Sequence, residues 1–383
     1  MTERLYELDA YLSEFEAQVL SCEPCGEYFG VVLDKTAFFP EGGGQPADKG
    51  KLGDAEVIDV QINEGIVVHT VKEPLEKGIK VSGEVDFELR FARMQAHTAE
   101  HIVAGTINSL FGYSNIGFHL TDELVTADFS GPLNAEEIEN IEILANKAVF
   151  KNVPISASYP TEEELSKITY RSKIDPKEDL RIVTIEGVDC CACCAPHLAR
   201  TGEAGVIKII DFYPCKHGTR IEMIAGLNAV KDYAFLNASN KKMMKMMSAP
   251  RTSVVDVLTK QLESVSELKN ENQKLSQRLA LSELAPIDVK GCALAFTKNL
   301  SYDDLRYCAN NLTESGTEIC VLLSENDDGY IYVVSSNEKD TRSIVQALNS
   351  NFSGKGGGKP DYAQGKISKA DADEIKTLIE TLL

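Results

Sequence analysis

The chain has 383 residues, 43% of them hydrophobic and 26% charged; that is too long for one ordinary core, so two to four domains are expected, and disordered, collagen-like and mini-protein classes are excluded. Thirty-nine basic against 59 acidic residues leave a formal charge of −20, which argues against a broad, sequence-independent attraction to phosphate backbones without excluding a local basic face. The longest apolar runs, such as Ile319 to Leu323 and Ile331 to Val334, fall far short of the roughly 20 residues a membrane helix needs, and the opening Met1-Thr2-Glu3-Arg4 starts no secretory signal, so a soluble, cytoplasmic protein with no membrane partner is expected.

From Leu20 to about Phe87 short β-type runs (Tyr28 to Leu33, Glu56 to Ile62, Ile66 to Val71, Lys80 to Val85) alternate with Gly, Pro and Asp turns, the pattern of a small barrel-like β domain over 1–87. The period then changes. Met94, Ala96, His97, His101, Ile102, Ala104 and Leu110 fit one helix ending near Gly112, and a second is expected from Ala135 to Phe150 behind an Asn134 cap. Strands are expected at Ile155 to Tyr159, Leu180 to Ile185, Val206 to Phe212 and Thr219 to Ile224. Separate blocks of strands and helices make 88–226 an α+β domain.

Beyond Gly226, Leu258, Leu262, Val265, Leu268, Leu275 and Leu279 recur three or four apart among polar residues, with Asn272 near the apolar seam, as in a long amphipathic helix within 227–286. It either lies on its own domain or pairs with a second copy, so a homodimer through 254–284 or through the C-terminal domain is one partner expectation. After Pro286, strands (Cys292 to Phe296, Ile319 to Leu323, Ile331 to Ser335) alternate with helices (Tyr302 to Leu312, Thr341 to Asn349, Lys369 to Leu382), giving a compact α/β module over 287–383.

Chemistry concentrates in three places. His97-Thr98-Ala99-Glu100-His101 puts two imidazoles four apart on one helix face, where they can grip one metal ion. Cys193-Cys194-Ala195-Pro196-His197 adds a thiolate and an imidazole four apart, completing a mixed shell that favours zinc. The plainer reading of the histidine pair is an exposed or capped one, and Cys190, Cys191, Cys193 and Cys194 also form overlapping C-x2-C pairs that could hold a structural metal. The second place is Thr36 to Pro46, where Gly42, Gly43 and Gly44 permit positive φ and close approach to a ligand, or simply a tight turn. It lacks the lysine of a P-loop, Gln45 can donate and accept, and Thr36 offers a hydroxyl. The third is Gly354 to Lys366, where glycines expose amides and Lys355, Lys359 and Lys366 gather positive charge; it is either a polyanion-binding segment or a glycine-rich surface linker.

Taken in order, Phe38-Phe39-Pro40-Glu41-Gly42-Gly43-Gly44-Gln45-Pro46, His97 with His101, Cys193 with His197, Arg200-Thr201-Gly202, Gly218-Thr219-Arg220-Ile221-Glu222 and Gly356-Gly357-Gly358-Lys359-Pro360-Asp361 resemble the AlaX family of alanyl-tRNA editing proteins, free-standing relatives of the alanyl-tRNA synthetase editing domain. The resemblance covers nearly the whole chain and points to the long type with a C-terminal DHHA1 module. It implies one Zn2+ per chain on His97, His101, Cys193 and His197, with Thr36 and Gln45 near the aminoacyl group. It also implies tRNA contact through Lys355, Gly356, Gly357, Gly358, Lys359 and Lys366. The family commonly carries C-G-G-T-H where this chain has Cys193 to His197, and further glycines where it has Lys366 and Ile367.

The function expected is hydrolysis in trans of serine or glycine from mischarged alanine tRNA. One rival takes His97 to His101 as the H-x2-E-H signature of a zinc peptidase with Glu100 as general base, against the plain reading of Glu100 as a solvated helix carboxylate. The other is a non-catalytic, zinc-stabilised RNA-binding adaptor.

Overall fold

The computed structural model describes residues 2–172 and 180–383, which form two compact units, Met1–Lys241 and Lys242–Leu383. In the first, β1 (Glu3–Arg4) and a helical turn α1 (Leu5–Leu8) precede β2 (Glu14–Cys25) and β3 (Tyr28–Leu33). Then come β4 (Lys35–Thr36), which pairs in parallel with β1, and β5 (Gly50–Leu52), β6 (Ala55–Asn63), β7 (Ile66–Val71) and β8 (Lys80–Val85). Alternate residues point inward in a strand. Phe15, Ala17 and Val19 of β2, Val67 and Val71 of β7, and Val81 and Val85 of β8 therefore share one buried cluster. Six strands hydrogen-bond in the ring β2-β3-β7-β6-β5-β8, and β8 pairs back onto β2.

The chain leaves this ring directly into α2 (Phe87–Phe111), capped by the Asp86 side chain on Leu89 N–H and stopped by Gly112 in the left-handed conformation. A buried ion pair fastens the helix to the barrel. The Arg90 guanidinium, fully buried, donates to Asp48 and to the carbonyls of Ala37 and Leu12, while Asp48 also accepts from Phe39 N–H at 2.6 Å.

β9 (Asn115–Leu120), β10 (Val125–Phe129) and α3 (Ala135–Lys151) follow, α3 opening on a reciprocal capping box between Asn134 and Glu137. Next come β11 (Ile155–Ser158), α4 (Glu162–Leu165), β12 (Ile182–Ile185), β13 (Asp189–Ala192), β14 (Ile207–Cys215) and β15 (Gly218–Ala225). They form a four-stranded sheet, β14-β15-β10-β9, and a three-stranded one, β11-β12-β13. α2 is buried between them because its Met94, Ile102, Val103 and Ile107 join one core with Ile221, Met223 and Ile185. Gly105 lets the helix approach the turn before β13: a Cβ there would lie 2.4 Å from the Val188 carbonyl oxygen.

After Gly226 come two helices, α5 (Gly226–Met247) and α6 (Val254–Glu283), and the expected apolar repeat from Leu258 to Leu279 falls whole within α6. The break falls where Ser248 takes φ 51° and Pro250 follows, a residue that cannot continue a helix interior. Most of α6 is exposed; near its end Ala280 packs beside Leu305, Cys308 and Ala309.

β16 (Ile287–Val289), β17 (Cys292–Lys298), α7 (Tyr302–Glu314), β18 (Ile319–Asn326), β19 (Gly329–Ser336), α8 (Arg342–Asn351), β20 (Lys355–Gly358), β21 (Tyr362–Ile367) and α9 (Ala372–Leu382) complete the second unit. Its sheet runs β16-β17-β18-β19-β21-β20. Both faces are covered, with Val321 and Leu323 packed with α8 and α9 residues and Cys320 and Leu322 with α7 residues; the central strand therefore reads as a continuous apolar run. The Gly354 to Lys366 segment is not a linker. It is an edge hairpin, β20 paired to β21, turned at Pro360-Asp361. No helix among the described residues is long and apolar enough to cross a membrane.

Candidate metal centre

One turn of α2 separates His97 from His101, and the loop after β13 brings Cys193 and His197 against them. The His197 ring lies 4.8 Å from that of His97 and 4.6 Å from that of His101. The Cys193 Sγ lies 3.5 Å from His97 Nε2 and 3.3 Å from His197 Nε2. All four ligand atoms fall within 4.8 Å of one another. The loop is shaped from beneath by Arg181, which donates to the carbonyls of Cys193 at 3.0 Å and Ala195 at 2.8 Å, and by Ala195, buried against Tyr6 and Phe39.

Each imidazole is held from behind through Nδ1. His97 Nδ1–H donates to Gln45 Oε1 at 2.8 Å, His101 Nδ1–H to Asp189 Oδ2 at 2.9 Å, and His197 Nδ1 meets Thr98 Oγ1 at 3.1 Å. A metal-binding imidazole is normally oriented this way, its second nitrogen bonded to a carboxylate, carbonyl or similar acceptor. The three histidines are buried, so the plain reading of His97 and His101 as exposed side chains does not hold.

The electrostatics favour positive charge at the centre. Burial would raise the Cys193 thiol, but the His97 imidazole and the hydrogen bonds from His101 and His197 outweigh it and hold the thiol well below its usual range. Burial pushes His197 down to about 3, leaving a neutral ring with a free lone pair. Burial also opposes charge on His101, yet Asp189 and Cys193 outweigh that and push it up to about 10. Three nitrogens and one sulfur, dry and oriented from behind, fit a divalent cation of the zinc type.

A neighbouring group, His101, Asp189 and Cys191, is also compact, but Asp189 is committed to His101 and Arg171, and burial pushes the Cys191 thiol up to about 12. Cys193 is therefore the better thiolate donor. The four clustered cysteines form no ligand group of their own among the described residues.

The glycine turn reaches the same group, though not as an open cradle. Gly42 and Gln45 exchange backbone hydrogen bonds of 3.1 and 3.0 Å around Gly43 and Gly44, whose φ values of 63° and 84° make a two-residue hairpin turn of the kind that needs left-handed residues. A Cβ on Gly44 would fall 2.8 Å from the Phe118 carbonyl oxygen, and the Phe118 ring lies 4.7 Å from that of His97. The turn delivers Gln45. Its Nε2, fully buried, has no hydrogen-bond partner among the described residues.

Thr36 is placed differently. Its hydroxyl lies 2.8 Å from His69 Nε2, inside the barrel, and accepts from Phe38 N–H at 3.1 Å. Because His69 Nδ1 bonds the Val31 carbonyl oxygen at 3.1 Å, it must carry the proton, so Nε2 accepts and Thr36 donates to it.

Glu100 is buried rather than a solvated helix carboxylate. One of its oxygens accepts from the Asn115 amide, and the other lies 4.0 Å from His101 Nε2. Lys355, Gly356, Gly357, Gly358, Lys359 and Lys366 are exposed in the other unit's hairpin, with Lys355 directly opposite Lys366. Thr98, Arg171, Arg181, Asn115 and Asp189 escaped the sequence reading. Thr98 sits within the histidine motif, but nothing in the sequence ties Asp189 to His101.

Residues 10–89 match the family model described as tRNA synthetases class II (A), residues 180–226 the threonyl and alanyl tRNA synthetase second additional domain, and residues 288–383 the DHHA1 domain. An alanine–tRNA ligase of Pyrococcus abyssi is 30% identical over 403 residues, taking in 100% of this chain and 43% of that protein. One from Methanoregula boonei is 32% identical over 97% of this chain and 42% of its own length. The chain thus spans less than half the length of these ligases. The alanyl-tRNA editing protein AlaX-L of Pyrococcus horikoshii is 26% identical over 100% of this chain and 98% of its own.

Proposed function

Because the chain belongs to the alanyl-tRNA editing proteins of the long AlaX type, we propose that it hydrolyses, in trans, the ester joining serine or glycine to alanine tRNA. The observation that carries this reading is the convergence of three buried imidazoles, His97, His101 and His197, with the half-buried Cys193, each ring's Nδ1 being bonded outward. One Zn2+ held there would act as a Lewis acid on the ester or anchor the free amino group of the substrate.

The chain's own residues do the rest. Gln45, Asp189 and Thr98 fix the three rings, and Phe118 lies against that of His97. Glu100, held by Asn115, is the carboxylate beside the group that can take and return a proton. The Thr36 proton goes to His69, so toward a seryl hydroxyl Thr36 would act only as an acceptor, whereas glycine must be told apart by exclusion.

The charged tRNA would be held by the hairpin of the second unit. Lys355 facing Lys366 across two strands costs stability without a counter-charge, and a phosphate between them relieves it, so an acidic protein can bind RNA through one local patch. The finer division into 1–87, 88–226, 227–286 and 287–383, a cytoplasmic location and a homodimer along the exposed leucines of α6 belong to this proposal.

The peptidase reading is weaker because Cys193 and His197, not a distal carboxylate, complete the ligand group. The adaptor keeps the metal and the lysines but has no turnover. Purified protein incubated with seryl-, glycyl- and alanyl-charged alanine tRNA, and with casein, separates the three. Selective loss of seryl or glycyl ester supports editing, casein cleavage supports a peptidase, and binding without loss supports an adaptor.

A further inference from the structure

Asp189 holds His101, and a second group holds Asp189. Arg171 Nε donates to Asp189 Oδ1 at 2.7 Å and its Nη2 to Asp189 Oδ2 at 2.7 Å, so a two-pronged fork fixes the plane of the carboxylate that accepts from His101 Nδ1–H at 2.9 Å. The carboxylate side chain is 2% exposed and the arginine side chain 15%. Arg171 itself is not free to drift: its N–H donates to the Cys190 carbonyl at 2.8 Å and its carbonyl accepts from Ala192 N–H at 2.9 Å, lacing it alongside β13.

We infer that Arg171 is a positioning residue of the metal group, acting on His101 through Asp189; the inference rests on the reading of His97, His101, Cys193 and His197 as ligands. A buried carboxylate bonded to one imidazole alone can rotate about its own side chain and carry the ring with it. With both oxygens engaged by a planar guanidinium, Oδ2 keeps one direction for Nδ1, and His101 Nε2 is left facing the Cys193 side of the group. Lysine, a single point donor on a flexible stem, cannot reproduce the fork.

The test uses the full chain and zinc alone as probe, by competition with a chromophoric chelator, so that no substrate enters it. Outer partners of metal ligands change affinity by about 10- to 100-fold. Arg171→Met should raise the zinc dissociation constant about tenfold, Arg171→Lys should recover part of that loss, and the metal-free unfolding midpoint should stay close to the parent's. Cobalt-loaded Arg171→Met should also show altered visible bands, which a merely structural residue would not produce. An Arg171→Met protein that binds zinc within twofold of the parent overturns the inference. If Arg171→Met does not fold, Arg171→Lys decides: parental affinity and parental cobalt bands overturn the inference, and weakened affinity upholds it. A parent chain that binds no zinc overturns both this inference and the ligand reading. A parent that binds zinc, weakened in Arg171→Met, but spares every mischarged ester upholds the inference and removes only the editing reading.

Discussion

Replacing Gln45 by leucine separates two opposed effects that the structure places on one side chain. Its Oε1 accepts from His97 Nδ1–H at 2.8 Å in a dry site, and leaving that donor unpaired costs about 1–3 kcal/mol. The cost appears mainly when His97 must be held for a metal, so it should lower metal affinity. At about 1.4 kcal/mol per factor of ten, the loss is roughly five- to 100-fold. Yet the Gln45 Nε2 is buried without a partner among the described residues, and leucine removes that amide. This offsets the same order of energy in the metal-free fold, whose stability should therefore change by less than about 1 kcal/mol. Gln45→Glu should retain the metal, because a carboxylate accepts from Nδ1–H at least as well as an amide oxygen. Chelator competition gives the affinity and a denaturant titration of metal-free protein the stability. Unchanged metal affinity together with a lost fold would refute the argument, since Gln45 would then be a packing residue and not a support for His97.

Cys193→Ala should abolish stoichiometric zinc and deacylation together, while Cys191→Ala leaves both largely intact; elemental analysis beside the ester assay reports which thiol binds. Arg90→Met should strand Asp48, which is 1% exposed, and destabilise the first unit by about 3–5 kcal/mol, read from the denaturant midpoint; a loss below 1 kcal/mol would mean that water reaches Asp48. Alanine at Lys355, Lys359 and Lys366 should weaken binding of charged tRNA and flatten the slope of log affinity against log salt by roughly 2 to 3, without slowing hydrolysis of a small aminoacyl ester. Equal losses on both substrates would place the lysines at the reaction rather than at the RNA.

The elements follow from local chemistry and were legible for that reason. Strands such as Tyr28–Leu33 and Ile66–Val71 keep the bounds their apolar pattern predicts, and α3 begins behind Asn134, as its cap requires. The histidine pair and the cysteine–histidine pair each sit four apart in the sequence, so that they could share one metal is visible in the spacing, though spacing leaves the plainer reading of the histidines open. Less visible is the β20–β21 hairpin, although its partners stand only five to eleven residues apart, because the glycines of β20 carry no alternating apolar pattern to mark a strand. The leucine repeat from Leu258 to Leu279 lies whole within α6, as its spacing predicts, whereas nothing in that repeat announces α5.

Propensity and spacing act over a few residues, so they mark the side chains able to bind a metal and the segments able to form helix or strand. Packing fixes the rest: the Cys193 Sγ sits beside both His97 and His197, Thr36 gives its proton to His69, and Asp189, Arg171 and Gln45 stand behind the imidazoles. Those choices depend on burial and on the direction of single hydrogen bonds between residues 18 to 96 apart, and such directions are fixed by packing, not by the order of residues along the chain.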